Sequence, residues 1–306
     1  MRVTSSYMTK NYLRNLNRNT QSVQKYQEQL STLNKINRTS DDPLTASKIM
    51  DLKSSITRNE EYLTTIDDAI DWTNVQDSAL SNATKSMQRI STLIQSAANG
   101  TMSDGDRQAV KSEVESEIGT LVDSYNTNFG GRYIFAGKET LTKPFEITED
   151  ADGNFTGIEY KGTMGANDSG LLEREIAQGV SVELQTDGRK LVGDPADSLG
   201  NFLQDVLTAL DESDTEALGG DLMDRASVES DTILSLRTKI GATYNRLETS
   251  KARNESENLN LQSMLSGKQD IDLAETFMNY QMEMTSYEAS LQMGTRILQT
   301  NILNYL

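Results

Sequence analysis

Residues 273–306, LAETFMNYQMEMTSYEASLQMGTRILQTNILNYL, set Leu273, Phe277, Tyr280, Met284, Tyr287, Leu291, Gly294, Leu298, Asn301 and Tyr305 in alternating steps of four and three. On a helix of 3.6 residues per turn this spacing draws one narrow stripe, which a second helix covers better than a broad core does. The stripe reaches the last residue but one. It is therefore expected to dock back on its own chain or on another molecule, as an assembly element.

Working outward, the opening residues supply a matching seam. Tyr12, Leu16, Asn19, Val23, Tyr26, Leu30 and Leu33 repeat the alternation, and Val3 and Met8 extend it upstream. Residues 1–40 hold seven Lys or Arg against the single acid Glu28, a net of +6, whereas residues 270–306 hold five acids against Arg296, a net of −4. A basic seam and an acidic seam favour pairing of the two ends.

Between the seams the pattern changes twice. Asn37-Arg38-Thr39-Ser40-Asp41-Asp42-Pro43 breaks the first helix and starts the next, with Asp42 as N-cap and Pro43 at the first helical position. A long apolar stripe follows from Ile49 through Ile66, Leu80, Met87, Ile90 and Ala97, ending near Asn99-Gly100, and a third helix is expected from about Asp104 to Asn128. From Gly130 the helical period disappears. Short segments at Arg132–Ala136, Phe145–Thr148, Gly157–Lys161, Leu171–Ala177 and Val180–Thr186 alternate with Gly and Asp turns, the signature of antiparallel hairpins. Helical signals resume at Asp197–Leu210 and run from about Asp221 to Ser266.

The fold expected is mainly α, a long antiparallel helical bundle or coiled coil made from both termini, carrying a small β-rich insertion. Residues 1–42 with 270–306 form a terminal coiled-coil domain in this reading. Residues 43–130 with 196–269 form a helical bundle, and residues 131–195 a β-rich outer domain.

Composition narrows the function classes. With 29 basic and 46 acidic residues the net charge is −17, which excludes the dense basic footprint that nucleic acid requires. Residues 193–231 alone hold eleven acids and one base, Arg225, and read as a solvated face. At 36% hydrophobic and 6% aromatic residues, narrow cores between helices are expected rather than one broad globule. No run approaches the roughly 18 apolar residues of a membrane span, and Met1 to Leu30 does not read as a signal peptide.

The absence of His and Cys removes the commonest general base, the usual nucleophilic triads and most zinc sites. Asp150-Ala151-Asp152-Gly153-Asn154-Phe155 hints at a calcium loop, but Phe155 and Lys161 stand where Gly and Glu are required, so a hairpin turn is expected there. Gly162-Thr163-Met164-Gly165 lacks the Lys of a phosphate loop. No catalytic residue, cofactor or metal is expected. Trp72 reads as packed against a neighbouring helix. Met278, Met282, Met284 and Met293 suit either an adaptable contact surface or simple seam filling.

Two stretches carry a family resemblance. The break at 37–43, continuing as Leu44-Thr45-Ala46-Ser47-Lys48-Ile49, resembles that of flagellins and their junction relatives. Asn126 to Gly137, containing Gly131-Arg132-Tyr133-Ile134-Phe135-Ala136-Gly137 and followed by Pro144-Phe145, is similar to the junction branch, the hook-associated protein 3 or FlgL family. So is the terminal run Ile297 to Leu306.

The resemblance implies a structural protein of the bacterial flagellum, without enzyme activity, forming a ring at the hook-filament junction. Its implied partners are hook-associated protein 1, flagellin, further copies of itself, and an export chaperone on the C-terminal helix. It further implies that Tyr12, Leu16, Val23, Tyr26, Leu30 and Leu33 with Leu273, Phe277, Tyr280, Met284, Tyr287, Leu291, Leu298 and Tyr305 line an inner tube. Asp41, Asp42 and Pro43 mark a domain boundary, and Arg132 to Gly137 the entry to the outer domain. Export through the flagellar type III apparatus without signal cleavage replaces the cytoplasmic location that composition alone suggests. Flagellin itself and a cytoplasmic coiled-coil scaffold are the alternatives.

Overall fold

The computed structural model describes residues 2–100, 102–137, 139–151, 153–162, 172–184, 187–194 and 197–302. In chain order the elements are α1 (Arg2–Thr32), α2 (Pro43–Ala97), α3 (Asp104–Tyr125), β1 (Asn128–Phe129), β2 (Arg132–Tyr133), β3 (Phe145–Glu149), β4 (Phe155–Tyr160), β5 (Leu172–Ala177) and β6 (Val180–Leu184). There follow α4 (Arg189–Val192), β7 (Gly193–Asp194), β8 (Asp197–Ser198), α5 (Leu199–Asp211), α6 (Thr215–Gly219), α7 (Asp221–Gln269) and α8 (Leu273–Ile302). The fold is mainly helical, with α1 paired to α8, α2 paired to α7, and a small β region inserted between the helices. By compactness the chain divides into Met1–Glu60 with Ser256–Leu306, and Glu61–Glu255.

The larger unit holds the apolar core. Along α2, Ile66, Ala69, Thr73, Gln76, Leu80, Ala83, Met87, Ile90, Ile94 and Ala97 are buried at steps of three and four, one continuous face. Val114, Ile118, Leu121 and Tyr125 of α3 pack into the same cluster, as do Ile233, Ile240 and Leu247 of α7. Burial of this apolar surface is the main stabilising force. Salt bridges Asp77–Arg237 at 3.1 Å and Asp67–Lys251 at 2.8 Å join α2 to α7, but both are solvent-facing and contribute little. Within the acidic stretch, Asp205 pairs with Arg225, Asp211 with Lys111, and Asp214 caps α6.

α3 opens on a capping box, in which Ser103 and Asp106 accept each other's backbone N–H. It stops at Tyr125, short of the Asn128 expected from sequence, because Asn126 is used otherwise. Its side-chain amide donates to the carbonyl of Phe145 at 2.9 Å and accepts the Phe145 N–H at 3.0 Å, so it grips the start of β3.

The described strands form four separate two-stranded antiparallel hairpins, β1–β2, β3–β4, β5–β6 and β7–β8. The stretch expected as a strand over Arg132–Ala136 is a strand only at Arg132–Tyr133, turns into the core at Ile134 and Phe135, and pairs again as a single antiparallel bridge from Ala136 to Asp187. The turn between β3 and β4 closes on Asp150, whose carboxylate accepts from the Asn154 N–H and side-chain amide while Gly153 takes φ +84°.

Helices hold these hairpins by their main chain. Gln76 donates to the carbonyl of Ile134 at 3.4 Å, and buried Asn254 donates to that of Ile176 at 3.0 Å. α5, buried along its apolar face, lies on β4 so closely that a Cβ at Gly200 would stand 2.6 Å from the Ile158 nitrogen. What lies against the buried Trp72 ring is Phe129 of β1, edge-on at 6.2 Å.

Replacing Asn254 with Ala strands the buried Ile176 carbonyl. It is expected to cost about 1–3 kcal/mol, read as a shift in urea midpoint at constant slope. A loss below about 0.5 kcal/mol, the range of ordinary surface substitutions, would show that the amide does not anchor β5–β6.

Candidate assembly surface

The two helix breaks lie side by side. Thr32 is the last residue of α1, and Leu33 takes the left-handed conformation, φ +60°, which a branched residue adopts only under constraint. The constraint is an antiparallel bridge between Asn34 and Asp270. Lys35 N–H donates to the carbonyl of Gln269 at 2.6 Å, and Ile271 N–H donates to that of Leu33 at 3.2 Å. Side chains reinforce the bridge: Gln269 donates to Asn34 Oδ1 and Gln29 to the carbonyl of Lys35, both at 2.7 Å.

Each chain then restarts on an aspartate. Asp42 accepts from the N–H groups of Leu44 and Thr45 at 3.1 and 3.2 Å and from the Thr45 hydroxyl at 2.5 Å, with Pro43 at the first helical position. Asp41 accepts from the Arg38 N–H inside the turn. Asp272 does for α8 what Asp42 does for α2, accepting from Ala274 and Glu275. The Thr45 hydroxyl, then the backbone N–H groups of Thr45 and Leu44, with Lys48 nearby, hold the Asp42 carboxyl below the usual carboxylate range.

From this elbow α1 and α8 run antiparallel. Asn19 Nδ2 donates to Ser290 Oγ at 2.9 Å and to the Ser286 carbonyl at 3.5 Å, and the Tyr12 ring lies over Gly294. Tyr12, Leu16, Val23, Tyr26 and Leu30 are half-buried, while Leu33 is 53% exposed.

On α8 the described residues that lose exposure are Thr276, Tyr280, Glu283, Tyr287, Ser290 and Gly294, at steps of four and three, with Asn279 and Met284 on the flanks of the stripe. It shares Tyr280, Met284, Tyr287 and Gly294 with the sequence-predicted stripe and takes Thr276 and Ser290 in place of Phe277 and Leu291. Leu273, Phe277 and Leu291 consequently stay open at 60, 52 and 41% exposure, and Met284 is half-buried. Met278, Met282 and Met293 are open as well. The Leu298 side chain and Tyr305 lie outside the described residues. Reading by hydrophobicity missed Thr276 and Ser290, polar positions two heptads apart.

The Gly131–Gly137 segment is arranged quite differently. Gly130 and Gly131, with φ +58° and +82°, make the two-residue turn between β1 and β2 that requires left-handed backbone at both positions. Asn128 Oδ1 accepts the Gly131 N–H at 2.9 Å. Arg132 is exposed and Tyr133 half-buried, whereas Ile134, Phe135 and Ala136 are buried, and the Tyr160 hydroxyl donates to the Phe135 carbonyl at 3.1 Å. Gly137 takes φ +70° as the segment leaves the core. The segment plugs a hairpin into the helical core.

Comparison with known proteins agrees with this architecture. Residues 3–140 match the family model of the bacterial flagellin N-terminal helical region. Over 318 aligned residues the chain is 26% identical to flagellar hook-associated protein 3 of Escherichia coli (strain K12), covering 96% of each. It is 25% identical over 317 residues to flagellin of Bacillus subtilis (strain 168), covering all of both. The crystal structure of Bacillus cereus FlgL superposes with a TM-score of 0.57 at 25% identity, covering 71% of this chain and 99% of that one.

Paired terminal helices with a flagellin-type N-terminal region define a structural protein of the flagellin superfamily, a non-enzymatic component of the extracellular bacterial flagellum. Within that class, the chain is similar over nearly all of its length to flagellar hook-associated protein 3, also called FlgL, the hook-filament junction protein.

Because the Asp42 carboxyl is lowered in the folded chain, its contribution to the elbow is fully present above the unfolded value of about 4. It is lost as the pH falls through the lower folded value. An NMR titration should place the Asp42 midpoint below that of a model peptide, with faster exchange of the Leu44 and Thr45 amides once it protonates. A midpoint at or above the peptide value would mean the cap is not formed.

Proposed function

We propose that copies of this chain form a ring between hook-associated protein 1 and the first flagellin subunits. Residues 1–42 and 270–306 supply the inner tube, residues 43–130 and 196–269 surround it, and residues 131–195 face outward. The observation that carries this reading is the apolar stripe of α8, with Leu273, Phe277 and Leu291 open although α1 is already paired to the helix. A helix that keeps its leucines in water after pairing has further helices to meet.

The pair by itself is thin. Over its described side chains only Gln29 of α1 and Thr276 and Gly294 of α8 are buried. Long helices with so little tertiary packing are marginal in water, so the ends are loosely held until neighbouring subunits complete the bundle. Loose ends suit export through the flagellar type III channel without a cleaved signal peptide. They also leave 273–306 free for an export chaperone that covers the apolar stripe until delivery.

In limited proteolysis of the purified chain, cleavage is expected first within residues 1–40 and 275–306 while about 45–265 persists; ends as resistant as the middle would overturn the loosely held state. Leu291→Asp should abolish incorporation at the hook tip and release flagellin into the medium, with monomer stability changed by less than about 0.5 kcal/mol. Normal filaments in that strain would refute the assembly role. A few copies per flagellum, counted in purified hook-basal body preparations, separate a junction ring from a filament subunit.

A further inference from the structure

Glycine is a poor residue for the middle of a helix, yet α8 carries Gly294 at a buried position, while Met293 beside it is 60% exposed. A Cβ built at 294 falls within the Tyr12 side chain, against its hydroxyl oxygen and Cζ, so the phenol occupies the space that any other residue would fill. Gly294 is a hole and Tyr12 the knob seated in it. Lower on the same face, Asn19 lies against Ser290 at 2.9 Å.

We infer that the Tyr12–Gly294 knob and hole is the register key of the terminal helix pair, deciding which face of α8 meets α1. Hydrophobicity alone would turn Leu273, Phe277, Met284 and Leu291 onto α1. Leu291 lies about 60° round the helix from Gly294, so rotating α8 to centre Leu291 on α1 moves Gly294 off the phenol and turns the Tyr12 ring towards larger side chains. The key thus keeps the small and polar face for the intramolecular contact and the leucine face for others. This inference rests on reading α8 as an assembly helix, but its test measures the pairing itself.

The chain has no cysteine, so Asn19→Cys with Ser290→Cys introduces a single thiol pair across the interface. In that background the initial rate of disulfide formation under mild oxidation reports how often α1 and α8 meet in this register. Adding Gly294→Leu is expected to slow it roughly tenfold. Adding Tyr12→Ala as well, which moves the bulk from one helix to the other, should restore it to within about threefold. Unchanged crosslinking in the Gly294→Leu chain would overturn the key. So would failure of the double replacement to recover, since the loss would then be general damage to α8. Hook-tip incorporation of the same variants is scored separately. If crosslinking falls and recovers while incorporation never changes, the key stands and the assembly reading fails.

Discussion

The antiparallel bridge between Asn34 and Asp270 is the constraint on which the terminal architecture depends. A helix that stops leaves orphaned N–H and C=O groups, and two helices that stop side by side can satisfy each other. Here the carbonyls of Leu33 and Gln269 accept from Ile271 and Lys35, so each break supplies what the other lacks. If α1 ran on through Leu33, the chain leaving α7 would lose its partner at Ile271. The breaks therefore have to fall at one level, and Asp42 and Asp272 restart the helices from there. The elbow thus sets the level at which the two ends meet, and Tyr12 over Gly294 sets the contacting face at the far end.

Between those two fixed points α8 divides its faces by chemistry. Thr276, Ser290 and Gly294 let the α1 backbone come near and cost little to separate, because few apolar atoms are removed from water. The leucine and phenylalanine positions would yield more on burial, and they point away. A subunit built so has its weaker contact inside and its stronger contact available to neighbours. That ordering suits a subunit of a larger assembly.

Much of this was legible because it is periodic or local. The stripes on α1, α2, α3 and α7, the Asp42-Pro43 restart, and the Gly130-Gly131, Gly153 and Gly179 turns are each written within a few residues. Choices settled by distant residues were not. The end of α3 depends on Asn126 reaching Phe145, and the ring contact of Trp72 on the hairpin that presents Phe129. The pairing of the described strands as two-stranded hairpins goes with ties to distant helices, α5 against β4 and α7 against β5 and β6, which no strand encodes alone. On α8 the two stripes share Tyr280, Met284, Tyr287 and Gly294. Hydrophobicity centres the contact on Leu291, while the fit of a phenol over a glycine centres it on Gly294.

The way the hairpins are fastened has a consequence for how this chain can change. Asn126, Gln76 and Asn254 grip carbonyls of Phe145, Ile134 and Ile176, and Arg246 that of Ser181, so these ties run to peptide groups that every residue possesses. Exposed hairpin positions such as Glu173, Gln178 and Glu183 can be exchanged wholesale without loosening the attachment. The β insertion is in this sense a replaceable coat on a helical frame, free to diverge under pressures that the frame does not feel.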